Sequence, residues 1–463
     1  MNPIHSVILA AGKGTRMRSA TPKVLHPVCG IALIDRVLRA ASALGPETIT
    51  VVVGHEAEKV RHHLGERPQV FTVVQEPQLG TGHALLQAEP ILKDRSGTVV
   101  LLSGDVPLLT AATLQALVQA HHQAAAVATV MTATVPRPYG YGRVIRKDGE
   151  IARIVEERDA SPAEREVREI NSGIYAFDLA PLFEALRGIG AANAQGEYYL
   201  PDLVSIYRRQ GRTVTTWQVA GADEIRGINS RSELAEVSGM VRQAKNEELM
   251  AAGVTLVDPA TTYIDSGVEV GPDTVIHPCV HLEGSTRVGS ACEIHSGTRV
   301  VNSTVGDRVT LLNHSVVTDS TIGPGCSVGP FAHLRPGSAL GAEARVGNFV
   351  ELKNTALGDG AKANHLAYLG DSTIGERSNI GAGTITCNYD GMRKHRTVVG
   401  KGAFVGSNST LVAPVTIGDN AYVAAGSAIT QDVPADALGI GRGRQENKPG
   451  WVSRRKEEVR SEK

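Results

Sequence analysis

Three groups of residues carry side chains suited to chemistry. The first is the run Leu9-Ala10-Ala11-Gly12-Lys13-Gly14-Thr15-Arg16-Met17, followed by Pro22-Lys23. Gly12 and Gly14 let the backbone approach an anion and aim N–H groups at it. Arg16 offers a planar fork for phosphate oxygens, and Lys23 a mobile point charge. The run is neither GxxxxGK[ST] nor GxGxxG, because Met17 stands at the third glycine position. Taken alone, it reads equally as a phosphate loop or as an ordinary Gly-rich turn. The second group is Ser103-Gly104-Asp105, closing the apolar run Val99-Val100-Leu101-Leu102. A carboxylate at a strand end suits Mg²⁺, which takes hard oxygens and shares its coordination with substrate phosphates. A lone one also serves as a helix cap, but the basic loop nearby favours the metal. Gln75 and the turn Leu79-Gly80-Thr81-Gly82-His83-Ala84 offer amide and backbone groups for reading a base edge. The third group is His365 and Tyr368, with Arg335, Glu351, Lys353 and the polar pair Asn388-Tyr389 around them. Histidine accepts a proton near neutral pH. A single histidine on a β-face is usually only solvated, so the cluster carries the catalytic reading.

The elements that must position these groups are of two kinds. Residues 264–429 repeat with a period of six, as in Val270-Gly271-Pro272-Asp273-Thr274-Val275 and Ile417-Gly418-Asp419-Asn420-Ala421-Tyr422. A hexapeptide period belongs to a parallel β-helix. Three units, ~18 residues, close one coil, and the aliphatic residue of each points inward at the ~4.8 Å strand spacing. Gly or Asn is expected to take the left-handed conformation of the corners. About nine coils give a prism roughly 40 Å long. Two departures break the period: the unit Ala363–Tyr368, and the segment from Asn388 through Arg396. Glu351 and Lys353 lie about one coil before His365 and Tyr368, so stacking brings them near.

The first ~230 residues alternate strand and helix signals. Ser6–Ala10, Thr48–Val53 and Val99–Leu102 read as strands, Ile34–Leu44 has helical spacing, and Ala126–Val135 is a further apolar run. The pattern predicts a parallel or mixed sheet with helices on both faces, and ligands beyond the carboxyl ends of its strands. Ser232–Met250 reads as a linker helix capped by Ser230 or Ser232 and stopped by Gly253. The expected division is a first domain over 1–231, a linker over 232–252 and a β-helix over 253–463. Its charged tail after Pro449 is expected to be mobile or partner-dependent.

With 463 residues, more than one core is expected. A net charge of −1 argues against a general nucleic-acid or anionic-membrane binder. Five scattered cysteines read as reduced thiols, and no long apolar run or leader pattern is present. A cytoplasmic protein is expected. Aromatics at 4% suit a prism that stacks aliphatic residues.

The motif Leu9–Met17 with Pro22-Lys23 resembles the sugar-nucleotide pyrophosphorylases. Joined to a hexapeptide β-helix, the chain resembles, over roughly residues 5–451, the bacterial family of bifunctional N-acetylglucosamine-1-phosphate uridyltransferase / glucosamine-1-phosphate acetyltransferases. The resemblance implies a Rossmann-like nucleotidyltransferase domain, a linker helix and a left-handed parallel β-helix. It implies that Leu9, Ala10, Ala11, Gly12, Lys23, Gln75, Gly80 and Thr81 hold UTP, with Ser103 and Gly104 beside them. Asp105 and Asn229 would carry Mg²⁺, and Gly142, Glu156 and Asn171 the N-acetylglucosamine ring. Lys23 or Arg16 would offset charge as pyrophosphate leaves. Ser103 stands where some members have Tyr. On the prism, His365 would be the general base, with Glu351 a candidate to orient it. Arg335, Lys353, Tyr368 and Asn379 would bind glucosamine 1-phosphate. Ala382, Asn388, Tyr389, Ser407, Ala425 and Arg442 would line the acetyl-CoA groove. A homotrimer with sites between neighbouring prisms is the family expectation. Two other readings are a nucleotidyltransferase whose β-helix only regulates or oligomerises, and a non-catalytic scaffold. His365 with the interrupting segment argues against the former; Lys23, Asp105 and Asn229 argue against the latter.

Overall fold

The apolar runs of the first half are strands buried on both faces. In the computed structural model, which describes residues 2–462, they form a sheet in the order Val214–Gln218, Ala128–Thr134, Glu169–Asp178, Thr98–Ser103, Ile4–Ala10, Thr48–Val53, Val70–Val74. Glu169–Asp178 runs antiparallel to both neighbours; the other pairings along this path are parallel. Alternate residues of each strand feed two cores. Val7, Val99 and Leu101 pack with Leu182, Phe183 and Tyr207, whereas Ile8, Val100 and Leu102 pack with Ile34, Val37 and Leu117. Helices therefore cover both faces. The carboxyl ends of Ile4–Ala10, Thr98–Ser103 and Val70–Val74 lie at one edge, and they deliver the loop after Ala10, Gly104-Asp105 and Gln75 to one place.

The chain divides into two compact units, up to Val241 and from Arg242. The second unit is three parallel sheets of 11, 10 and 9 strands, each strand paired with one a coil away. Register sets Tyr263 on His281 and Ile264 on Leu282. Past the interruption it sets Asn379 on Phe404 and Ile385 on Thr410, because the segment from Asn388 to Arg396 loops out of the coil. The inward Val, Ile and Leu residues make one continuous core. The prism is longer than the repeat suggested. Thr255–Leu256 and Leu438–Gly439 add strands at its two ends, where the hexapeptide pattern has faded.

At the corners Gly284, Gly297, Gly337, Asn302, Asn354 and Asn408 hold positive φ as expected, but so do Asp273, Arg308, His314, Phe331, Glu343, Phe349 and Leu366, so the left-handed turn does not require glycine. The repeated glycine answers to close approach. A Cβ on Gly375 would lie 2.5 Å from the carbonyl carbon of Gly400 in the next coil.

The expected linker is the helix Arg231–Ala251. Ser230 caps it: Glu233 N–H donates to Ser230 Oγ at 3.2 Å, and Glu233 Oε2 accepts from Ser230 N–H at 2.9 Å. Val237 is buried with Val28, Leu33 and Ile228 of the first unit. Leu249 belongs to the prism core, and buried Asn246 donates to the carbonyls of Pro259 and Thr262. The tail after Pro449 carries the exposed helix Trp451–Ser461, none of whose residues is buried. Among the described residues no helix is long and apolar enough to cross a membrane.

Gly375→Ala should force two coils apart and cost about 1–3 kcal/mol. The denaturation midpoint of the prism measures this; an unchanged midpoint would show that the coil spacing yields.

Candidate active sites

The loop after Ala10 turns sharply at Gly14, whose φ is 58° and whose added Cβ would lie 2.8 Å from Lys23 Cβ. Lys23 is thereby held against the loop. Leu9, Ala10, Ala11, Gly12, Lys23, Gln75, Gly80, Thr81, Ser103 and Asp105 line one cavity of about 520 Å³. Lys13, Gln78 and Glu197 also line it and were not singled out from the sequence. Gln75 is buried, and its Nε2–H donates to the Gly80 carbonyl at 2.9 Å, which braces the turn. Gly104 N–H donates to the Leu9 carbonyl at 2.9 Å and ties two strand ends together. Arg16 is exposed on the short turn Thr15–Met17 and does not line this cavity.

Asp105 accepts the Ile228 N–H through its backbone carbonyl at 3.0 Å, which brings the segment holding Asn229 alongside. Lys23 Nζ then donates to Asp105 Oδ2 at 2.5 Å and to Asn229 Oδ1 at 3.1 Å. Two hard oxygens from distant segments face one cationic group. That donor set fits Mg²⁺.

A second cavity, about 200 Å³, shares Leu9, Thr81 and Ser103 with the first and adds Gly142, Glu156 and Asn171. The residues expected for the nucleotide and for the sugar thus line adjoining cavities. Asn171 N–H donates to the Gly142 carbonyl at 2.9 Å. Burial, and then the carboxylates of Asp159 and Asp202, hold the Glu156 carboxyl above its usual range.

On the prism, His365 ends the strand Lys362–His365 and is exposed. Its Nδ1 lies 2.8 Å from Asn348 Oδ1, one coil below and in register. A carbonyl oxygen only accepts, so Nδ1–H is the donor, and in the neutral ring Nε2 is the nitrogen with the free lone pair. The ring's partner is therefore Asn348, not Glu351. Glu351 instead accepts from Arg335 Nη1 at 2.8 Å. Above His365 a column continues. Gly383 N–H donates to the His365 carbonyl, Asn408 N–H to Ala382, Gly426 N–H to Ser407, and Arg442 Nη1 to Ala425 at 2.8 Å. His365, Ala382, Ser407, Ala425 and Arg442 therefore line one edge of the prism.

Around the corner at Leu366, Arg335 and Lys353 stand one coil apart on the second face, with Glu351 paired to Tyr368. Lys353 Nζ is 4.0 Å from Asp371 Oδ2, which also accepts from Asn388 Nδ2 at 2.5 Å. Asn388 thus joins the lysine cluster rather than the His365 column. Tyr389 is exposed on the interrupting loop. The same loop brings Lys394 to Lys353; hydrogen bonding to that ammonium, and repulsion from it, hold the Lys394 ammonium below its usual range. Two crowded ammonium groups invite an anion. Asn379 stays on the first face, in register with Lys362 and Phe404, apart from this cluster.

Residues 6–170 match the family model of the MobA-like NTP transferase domain. Residues 257–346 match that of the GMPPB C-terminal domain, and 396–431 that of the bacterial transferase hexapeptide (six repeats). A bifunctional protein GlmU of Pelobacter propionicus is 48% identical over 460 residues, 99% of this chain and 100% of that protein. One of Brevibacillus brevis is 50% identical over 455 residues, 98% of each. One of Streptococcus equi subsp. zooepidemicus is 48% identical over 451 residues, 97% of each.

The chain belongs to the bifunctional GlmU family. A GlmU protein has both folds described above, a Rossmann-like nucleotidyltransferase domain and a left-handed β-helix of hexapeptide repeats. The chain is accordingly a bifunctional transferase with uridylyltransferase and acetyltransferase activities, and the single-activity reading is set aside. On the prism of this GlmU chain, Asn348 and Lys394 are neighbours of the expected site residues that sequence reasoning missed. A coil-length count back from His365 finds Asn348; nothing in the interrupting loop marks Lys394.

Glu156 has a consequence for pH. Its raised pKa means the folded chain keeps the proton longer than the unfolded chain does. The associated stability is present below the ordinary glutamate value, about 4.3, and is lost as pH rises through the raised value. Glu156→Gln should therefore melt with the wild type near pH 4 and above it at pH 7–8. Melting curves over that range test this; a gain independent of pH would assign the effect to packing.

Proposed function

We propose that this chain acetylates glucosamine 1-phosphate with acetyl-CoA and then joins the N-acetylglucosamine 1-phosphate formed to UMP from UTP, releasing pyrophosphate. The observation that carries this is the pair of separate sites, each with its own reactive group. In the first unit, the loop from Leu9 to Gly12, with Gln75, Gly80 and Thr81, seats UTP. Gly142, Glu156 and Asn171 seat the sugar in the adjoining cavity. A phosphate oxygen of the sugar phosphate then faces the α-phosphorus, and positioning carries much of the rate. Asp105 and Asn229 would hold Mg²⁺, which when bound neutralises phosphate charge. Lys23, released from that oxygen pair, turns to the phosphates. Arg16 stays at the mouth, where incoming phosphates meet it.

In the second unit, His365 Nε2 takes a proton from the attacking amine while Asn348 fixes the ring. Arg335, Lys353 and Lys394 clamp the phosphate, and Tyr368 lies against the sugar. The thioester is drawn along the column of Ala382, Ser407, Ala425 and Arg442, with Tyr389 on the loop beside it. Acetyl passes directly to the amine. No thiol carrier is needed: Cys292 and Cys326 are buried, and burial raises both thiols, Cys326 to about 11.

These residues lie on two faces of one corner, and Asn379 stands apart on the first. Exposed Phe331, Phe349 and Leu366 ride the same corner. A second copy laid against it would cover the apolar row and complete the site, which favours a homotrimer in the cytoplasm, serving cell-envelope synthesis.

Assays that follow free thiol and pyrophosphate separately test both sites. Asp105→Asn should abolish pyrophosphate release and leave thiol release unchanged. His365→Ala should lower thiol release ~10²-fold or more and spare pyrophosphate. Asn348→Ala should lower kcat for acetylation ~10-fold with KM little changed, because it orients the base without touching substrate. Loss of both activities in either of the first two variants would defeat the assignment of separate sites.

A further inference from the structure

Three side chains near the start of the prism converge without any part in the two reactions. His277 and His295 follow the strands Val275–Ile276 and Glu293–Ile294, which pair in register on the first face. The parallel ladder stacks the two imidazoles with centroids 4.7 Å apart and planes 6° from parallel. Glu293 projects from the same face two residues before His295. Its Oε1 lies 3.2 Å from His277 Nε2 and 3.4 Å from His295 Nε2. One potential ligand atom from each residue falls within 4.8 Å of the others.

We propose that His277, Glu293 and His295 form a binding site for a borderline divalent cation of the Zn²⁺ class, clasping two neighbouring coils. Zinc binds imidazole nitrogen and carboxylate oxygen at ~2.0–2.2 Å, so neighbouring donors of a tetrahedral site lie about 3.3–3.5 Å apart. The two nitrogen–oxygen separations here match that edge. Imidazole ligands select this class over Mg²⁺, which takes oxygens. The contrast with other coil-to-coil contacts is chemical. Glu283 and Glu351 reach across one coil to Arg299 and Arg335, which cannot ligate a cation. Among the described residues, the ion-pair partners of Glu293 are the two histidines alone. The register of the strands holds the donors in place before any ion arrives, which lowers the ordering cost of binding. All three side chains are partly open to solvent, at 30, 24 and 50% exposure, so water takes the fourth position. None of the three lines either cavity of the uridylyl site or belongs to the His365 column. The ion is therefore a clasp and not a catalyst.

The test uses tag-free full-length protein stripped with a chelator, then held in excess Mg²⁺ to satisfy the oxygen site in the first unit. Titration with Zn²⁺ by calorimetry, and with Co²⁺ by visible absorption, should show one ion per chain and a rise in Tm. His277→Gln and His295→Gln should each weaken binding ~10-fold or more. Cys279→Ser removes the exposed thiol two residues beyond His277 and should leave binding unchanged. Acetyl transfer, measured in each variant, reports an intact prism. No stoichiometric binding, binding unchanged in both histidine variants, or binding lost in Cys279→Ser would each overturn the site.

Discussion

A side chain on the prism does not choose its neighbours. Parallel strands bonded one coil apart turn a position along the chain into a position on a face, so residues about a coil apart must stack. The constraint is rigid because inward Val, Ile and Leu residues fill one continuous core, and because glycines such as Gly375 leave no room for the coils to shift. The column through His365 follows directly. Asn348, His365, Ala382, Ser407 and Ala425 are far apart in the chain, yet they fall along one edge through backbone bonds repeated coil after coil, and the Arg442 guanidinium donates to the last of them. The same ladder stacks His277 on His295.

The first unit reaches its site by convergence at strand ends. Lys23, Asp105 and Asn229 come from three segments, and each is steered by a backbone contact: Gly14 against Lys23, and the Asp105 carbonyl to Ile228. The resulting ion pair is partly shielded from water, which strengthens it and makes it responsive to a competing charge. Glu156 shows the converse, a buried acid whose neighbours are also acids, so its carboxyl is held above the usual range.

Much of both sites was legible because period and composition speak directly to geometry. The six-residue repeat implied the prism, and one coil's count brought Glu351 and Lys353 near His365 and Tyr368. The choice of Glu351 as the partner of His365 failed for a local reason. A corner at Leu366 separates the faces, so the residue in register with His365 is Asn348, and Glu351 finds Arg335 instead. The corners were legible only in part: Gly and Asn take the left-handed turn as expected, but a Phe or an Arg takes it too when the coil demands it, and glycines such as Gly375 answer to the next coil's backbone. The place of Lys394 was not legible, because the interrupting loop follows no repeat.

The sequence by itself determined the two folds, the Gly-rich loop after the first strand, the carboxylate at the strand end and the histidine set in a broken repeat. Each is a matter of local pattern, since strand, turn and coil are dictated by residues close in the chain. Only the tertiary structure decided which groups touch. Asn348 on His365, Lys394 beside Lys353, Lys23 between Asp105 and Asn229, and two cavities meeting at Leu9, Thr81 and Ser103 all join distant segments. Contacts across such separations depend on register, corner and loop closure together, and these are settled only when the whole core packs.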